Sequence, residues 1–211
     1  MKKERVIVYI GGFNVYYGLK SKGWKRYYWL DFQKLATNLL KPRQTLVTTK
    51  YFTARISSKE QAKQRRQIIY LEALGTLGNF HINYGHYLEK TITCFECNNT
   101  WTSHEEKMTD VRIGTELLID AFEDRFDTAL LLSGDSDLAP PIEAIRRKFP
   151  TKRIVVGFPP NRVSFTLKKK AHGFLNIGQD KFRYSMFPDE ITKPDGYVLK
   201  RPKEWQKNVK S

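Results

Sequence analysis

The chain has 211 residues, 28% of them charged and 40% hydrophobic, with a formal net charge of +15 at pH 7. A chain of this length can bury one core with an appendage, and its apolar runs fall short of the roughly 20 residues that a membrane-spanning helix needs. The positive charge attracts polyanions, so we expect a nucleic-acid partner and no membrane, and the lack of a signal peptide favours the cytoplasm.

The first predicted element is a strand at Arg5–Ile10, a β-branched apolar run of the kind found in the centre of a parallel sheet. It ends at Gly11 and Gly12, where the absence of side chains allows a tight turn and the close approach of a ligand. Asn14 follows, and it either offers an amide to a ligand or caps the helix predicted at 15–20. The third glycine of a dinucleotide-binding fingerprint is missing.

The next stretch, residues 21–29, mixes basic and aromatic side chains. This pattern suits the stacking of bases and the neutralisation of phosphates, and it equally suits an exposed connection whose rings pack on the core. The patterns after it predict a helix at 31–40 that Asp31 caps, a strand at 46–54, a helix at 57–74 and a strand at 79–84.

Cys94 and Cys97 interrupt this alternation of strands and helices, within an insertion at about 90–104. Their Cys-x-x-Cys spacing is that of a zinc knuckle, in which two thiolates share one face of the metal. A tetrahedral site needs two more ligands, for which His86 and His104 are the nearest candidates. Two reduced structural cysteines or a redox pair fit the spacing comparably well, although no obvious helix follows as in thioredoxin-like proteins.

The alternation of strands and helices then resumes. We predict a helix that begins near Asp110, a strand at 129–132, a helix at 138–148, a strand at 153–158 and a helical segment at 163–170. The candidates for the buried face of the first of these helices are Val111, Leu117, Leu118 and Phe122. Beyond about residue 180 a basic, proline-containing extension either stays mobile or wraps the domain through Phe187, Tyr197, Val198 and Trp205.

Acidic residues cluster where these elements begin and end. Asp135 and Asp137 follow the strand at 129–132, and ligands of open α/β sheets bind at that carboxyl edge. A single aspartate would be explained by helix capping, but two acids that flank one residue repel each other, which favours a cation site. Asp110 falls in the first turn of its helix, where the helix dipole alone could account for it.

Four segments resemble the NYN domain family, a branch of the PIN-like nuclease superfamily that includes LabA-like proteins. They are YIGGFNVYYGLK at 9–20, EEKMTDVRIGTELLIDAF at 105–122, SGDSDLAPPIEAIRR at 133–147 and RIVVGFPP at 153–160. The resemblance implies an α/β fold over residues 1–180, a PIN-like three-layer α/β/α sandwich around a parallel sheet of order 3-2-1-4-5. The Cys-x-x-Cys knuckle is then a small insertion, and residues 181–211 form a basic C-terminal extension.

The resemblance also implies a function, the metal-dependent hydrolysis of phosphodiesters, most often in RNA. By position, Asp110, Asp135 and Asp137 match the acidic cluster that binds Mg²⁺ or Mn²⁺, and Asn14 would orient water or substrate. The side chains expected to contact a nucleic acid, with single-stranded RNA as the favoured partner, are Lys107, Arg162, Lys168, Lys169 and Lys170. PIN-like domains often dimerise, so a homodimer is a further expectation by analogy.

One position departs from the family. Its first motif usually reads Asp-Gly-x-Asn, and Gly11 stands here in place of the aspartate. The site loses one carboxylate, so we expect weaker metal binding and impaired cleavage. Three explanations are open: an engineered inactive variant, a natural member that recruits Glu116 instead, and a pseudo-enzyme. The alternative function is therefore a non-catalytic RNA- or DNA-binding module, and a small-nucleotide-binding domain fits the charge less well.

Overall fold

The computed structural model describes residues 3–56 and 60–206, and the side chains of residues 87–90 and 101–107 lie outside that description. The strands are β1 (Glu4–Gly11), β2 (Gln44–Thr53), β3 (Phe80–Tyr84), β4 (His86–Thr93), β5 (Thr100–Lys107), β6 (Thr128–Leu132), β7 (Arg153–Phe158), β8 (Gly173–Asn176), β9 (Glu190–Thr192) and β10 (Val198–Lys200). The α-helices are α1 (Gly12–Ser21), α2 (Phe32–Leu39), α3 (Gln61–Leu74), α4 (Thr109–Phe122), α5 (Ala139–Lys148), α6 (Phe165–Lys170) and α7 (Gln179–Arg183). Short 3-10 helices lie at Lys25–Tyr28, Ser136–Leu138 and Lys203–Trp205.

Six strands form one parallel sheet in the order β3-β2-β1-β6-β7-β8. The predicted five-strand order is confirmed, because β6 and β7 are the fourth and fifth strands of this sheet along the chain. The sixth strand, β8, was not predicted. Its four residues are too few to show a strand period, and they are held as a strand by pairing with β7.

Helices cover both faces of this sheet, so the fold is the predicted three-layer sandwich. On β1, Val6, Val8 and Ile10 face a core built with α1, α2 and α3. The alternate residues Ile7 and Tyr9 face a second core built with α4, α5 and α6. Burial on both sides is the reason that β1 reads as an unbroken apolar run rather than an alternating one.

Helix α4 buries a narrower face than the one predicted. Ile113, Leu117 and Ala121, spaced four residues apart, point into the core. The wrong assignments are Val111, Leu118 and Phe122, which are 69%, 37% and 80% exposed. Within the described ranges, no helix is long and apolar enough to cross a bilayer.

An antiparallel hairpin of β4 and β5 stands between β3 and α4, where the sequence predicted an insertion. His86 pairs with Lys107 at the base of the hairpin, and Thr93 pairs with Thr100 at its tip. The Cys-x-x-Cys segment forms the turn beyond that last pair.

The C-terminal segment, residues 181–206, packs on the side of the sheet that carries α1 to α3. Phe187 and Leu199 are buried in that core. The ring of Trp205 lies 5.8 Å from that of Tyr28, centroid to centroid, and anchors the end of the segment. Two predicted anchors remain exposed, Tyr197 and Val198. Over the described residues, the segment therefore wraps the domain.

Candidate active site

A cleft of about 190 Å³ opens at the carboxyl edge of the sheet, beside the ends of β1 and β6 and the first turns of α1 and α4. Four separate parts of the chain line it: Gly11, Phe13, Asn14, Tyr17, Thr109, Asp110, Asp135 and Arg162. Predicted site residues from four distant segments of the chain thus line the same cleft.

Asn14 connects α1 to the loop after β6. Its Oδ1 accepts a hydrogen bond of 2.9 Å from the backbone N–H of Gly134. Gly134 has no room for a side chain, because an added Cβ would lie 1.8 Å from the carbonyl oxygen of Arg162. No described residue accepts a hydrogen bond from the Nδ2 group of Asn14, so this group can donate to a ligand in the cleft.

Asp135 and Asp137 lie in the loop that follows β6. Oδ1 of Asp135 accepts a hydrogen bond of 3.1 Å from the backbone N–H of Asp137 and so caps the short helix Ser136–Leu138. The backbone N–H of Asp135 in turn donates to Oγ of Ser133 at 3.1 Å. Capping occupies only one oxygen of Asp135, so the same side chain can cap the short helix and also serve as a carboxylate of the cleft. Asp137 is exposed and lies beside the cleft lining rather than in it.

Asp110 lies in the first turn of α4 and carries the most perturbed carboxyl group of the cleft. Burial, followed by the negative charges of Asp135 and Asp137, raises its pKa to about 6. Because this effect needs short distances, the three carboxylates form one electrostatic cluster. Within the described part of the chain, none of the three forms an ion pair with a lysine or arginine.

The donor chemistry of this cluster fits a hard divalent cation, which prefers carboxylate oxygens and retains several waters. The number of ligands is low, since no three His, Cys, Asp or Glu side chains of the described residues group closely enough to hold a metal ion. Gly11 lines the same cleft, at the position where the resemblance leads us to expect a further aspartate. An added Cβ would lie 3.5 Å from Cβ of Asn14 and from Oγ of Ser133, an ordinary contact distance, so the backbone here accepts a Cβ without a clash.

The sequence matches the NYN domain family over residues 5–178. The chain belongs to the NYN domain family. This family lies within the PIN-like nuclease superfamily, so the predicted family and fold class are confirmed. A crystal structure of a protein of unknown function from Vibrio parahaemolyticus is similar in fold, with 23% identity and a TM-score of 0.56 over 85% of this chain and 96% of that chain. No curated protein matches the sequence.

In this NYN domain, Glu116 is engaged outside the cleft lining. Its Oε2 accepts a hydrogen bond of 2.6 Å from Nζ of Lys50, and the same ammonium group donates to Oδ2 of Asp120 at 2.6 Å. The hydroxyl of Tyr9 donates to Asp120 as well, at 2.5 Å. Lys50 and Asp120 are both buried. The sequence analysis missed this network, because a lysine in a strand and an aspartate in a distant helix share no spacing signal.

Among the predicted nucleic-acid contacts of known side-chain position, Arg162 lies in the cleft. Its guanidinium is 5.7 Å from the centroid of the Tyr17 ring. The side chain of Lys107 lies outside the described residues. The remaining three are on α6, outside the lining of the cleft, where one forms an ion pair with Glu143: Lys168, Lys169 and Lys170.

The tip of the hairpin is a turn that carries Cys94 and Cys97. Sγ of Cys94 accepts hydrogen bonds from the backbone N–H groups of Cys97 and Glu96, which lower the pKa of the thiol. Asn98 then adopts a left-handed conformation with φ of 53°, which turns the chain back into β5. The side chain of Cys97 also forms a hydrogen bond with Cys94, so the two sulfur atoms are neighbours in this turn.

No described histidine lies beside this pair. His86 pairs with Lys107 at the base of the hairpin, about 25 Å along the strand from Cys94. The side chain of His104 lies outside the described residues. The described side chains of the hairpin thus supply two of four ligands, and zinc binding stays a prediction that metal analysis of the purified protein would test.

Proposed function

We propose that this NYN domain is a divalent-metal-dependent nuclease for single-stranded RNA, with its activity lowered by the glycine at position 11. The observation that carries the proposal is the carboxylate cluster of Asp110, Asp135 and Asp137 beside Asn14 and Arg162. Clustered carboxylates without a cation of their own repel one another, a cost that a bound divalent cation would remove.

The residues of the cleft have separable roles in this proposal. Asp110 and Asp135, which line the cleft, would hold Mg²⁺ or Mn²⁺, and Asp137 would add negative charge from beside the lining. The metal supplies charge neutralisation and an activated water when bound. Asn14 is fixed through its Oδ1 and would orient the scissile phosphate by donating from Nδ2. Arg162 would bind a phosphate oxygen with its guanidinium group, whose planar donors suit that partner.

Gly11 weakens this site without changing the fold. The affinity of a hard cation depends on the number of charged ligands, and the glycine removes one from the end of the central strand. A Cβ at position 11 makes only ordinary contacts with Asn14 and Ser133, and the position lines the cleft. Restoring a carboxylate at this position should therefore restore metal affinity and cleavage together.

The test compares the chain with its Gly11→Asp variant on end-labelled single-stranded RNA and DNA, in Mg²⁺, in Mn²⁺ and in EDTA. We expect Gly11→Asp to cleave RNA at least about tenfold faster, only with metal, because it adds a charged ligand. Gly11→Asn is the matched control, since it has the same size without the charge. Adding Asp135→Asn to Gly11→Asp should abolish cleavage and leave RNA binding intact.

The competing function predicts a different outcome. A non-catalytic RNA- or DNA-binding module would bind the labelled strand with every variant, and Gly11→Asp would not cut it. Equal cleavage by the original chain and by Gly11→Asp would show instead that position 11 is dispensable, and it would direct attention to Glu116.

A further inference from the structure

A second, larger groove adjoins the cleft on the α1 side of the molecule. Its volume is about 500 Å³, and it shares Phe13 and Tyr17 with the cleft. Segments far apart in the chain form its walls: α1, the short helix Lys25–Tyr28, part of α3, and the end of the C-terminal segment at Glu204 and Trp205.

A row of aromatic rings runs along this groove, starting at the cleft. The centroid distances along the row are 6.1 Å from Phe13 to Tyr17, 5.3 Å to Tyr16, 4.9 Å to Tyr28 and 5.8 Å to Trp205. Tyr16 is 39% and Tyr17 41% exposed, so these rings are not simply part of the core. A row of accessible rings is the structure on which successive unpaired bases stack.

Cations border the same groove. Lys20, Lys25, Lys63 and Arg66 are among its lining residues. No carboxylate of the described residues forms an ion pair with Lys20 or Lys25. Lys63 and Arg66 pair with Glu60 and Glu204, so the positive charge without a described carboxylate partner is that of Lys20 and Lys25. The groove therefore combines ring faces with two such cations, the two components that single-stranded nucleic acids require.

We propose that this groove binds the unpaired bases that flank the phosphodiester in the cleft, with Tyr16 and Tyr28 as stacking platforms and Lys20 and Lys25 as phosphate contacts. The inference rests on the proposed function for the position of the scissile phosphate, but base binding needs neither metal nor cleavage. A duplex would not fit this role, because its bases are already stacked on each other.

The test measures binding by fluorescence anisotropy in EDTA, with labelled single-stranded RNA, single-stranded DNA and an abasic strand of equal length. We expect Tyr16→Ala to weaken binding of the base-bearing strands about 5- to 150-fold, the range for the loss of one stacking contact. The same variant should leave binding of the abasic strand unchanged. Tyr16→Phe retains the ring and should bind like the original chain.

Tyr184→Ala is the matched control, because Tyr184 is an exposed tyrosine beside Arg183 and is not among the lining residues of the groove. The original chain also tests the inference without any mutation, since it should prefer the base-bearing strands to the abasic strand. Equal affinity for these strands, or no binding of any of them, would overturn the proposal. Base-dependent binding in this assay, together with no cleavage by Gly11→Asp in Mg²⁺ or Mn²⁺, would overturn the nuclease function alone.

Discussion

Two aspartates near opposite ends of the parallel sheet show how their surroundings separate a structural carboxylate from a functional one. Asp127, just before β6, forms hydrogen bonds with Arg5, which lower its pKa to about 2. Asp110, at the carboxyl edge, has a pKa raised to about 6 by burial and by the charges of Asp135 and Asp137. The ionised carboxylate of Asp127 favours folding, whereas that of Asp110 opposes it. Such opposition is expected at a site where a bound cation supplies the positive charge.

The raised pKa predicts how stability depends on pH. Ionised Asp110 costs folding free energy above about pH 6, the cost falls between pH 6 and 4, and it disappears where both states are protonated. Asp110→Asn should therefore raise the free energy of unfolding by about 1 kcal/mol at neutral pH in EDTA, after allowance for solvent screening. It should have little effect below about pH 4. Urea unfolding across this pH range measures both.

Asp127→Asn is the control for that experiment and should act in the opposite direction. Its carboxylate favours the folded state at neutral pH, and this contribution is lost only as the pH falls towards 2. If Asp110→Asn instead lowered stability at neutral pH in EDTA, the carboxylate cluster would already be compensated within the protein.

At the scale of elements, β2 and α4 are joined by a buried charged network rather than by apolar packing alone. Nζ of Lys50 lies 2.6 Å from carboxylate oxygens of both Glu116 and Asp120. The network lies between β2 and α4, and the first turn of α4 carries Asp110. We infer that it fixes the position of this helix against the sheet, and hence the position of Asp110 in the cleft.

Removing Lys50 should be strongly destabilising. Lys50→Ala leaves the fully buried Asp120 without its main cationic partner, and breaking a buried pair in this way typically costs about 3 kcal/mol or more. The free energy of unfolding in urea measures the loss. Lys200→Ala breaks an exposed pair with Glu190 and serves as the control, with an expected change below about 1 kcal/mol. A loss as small as the control's would mean that the network contributes little.

At the scale of the whole molecule, the question is whether the net charge of +15 acts as a diffuse field or through local contacts. A diffuse field accelerates the encounter with any polyanion. Local contacts release counterions from individual phosphates and set the slope of affinity against salt concentration. The groove beside the cleft concentrates exposed lysines next to aromatic rings, which favours local contacts.

The two views can be separated by pairs of substitutions with the same change in charge. Replacing Lys20 and Lys25 by alanine should reduce the slope of log affinity against log salt for single-stranded RNA by about 1.4, or 0.7 for each phosphate contact. Replacing Lys34 and Lys41, which do not line the groove, should leave the slope unchanged. Anisotropy titrations between about 50 and 200 mM salt measure it. Equal effects of the two pairs would favour the diffuse field.

Much of the architecture follows from local sequence. The strands β1, β6 and β7 are short apolar runs, and β2 and β3 have strand composition, so all five could be placed from local sequence. Their order in the sheet was an implication of the resemblance to the NYN family, and the structure confirms it. Asp31 was correctly predicted as a cap, since capping depends on neighbouring residues only. The place of Asp135 after a buried strand likewise follows from the chain itself, because parallel strands end at one edge.

The sequence by itself determined the family, the order of the parallel strands and the edge at which the acidic residues meet. Only the tertiary structure decided which distant side chains touch: Lys50 and Asp120, Asn14 and Gly134, and the row of rings that ends at Trp205. The reason is physical. Periodicity and capping depend on residues within a turn or two of each other, whereas these contacts depend on how separate elements pack around a shared core.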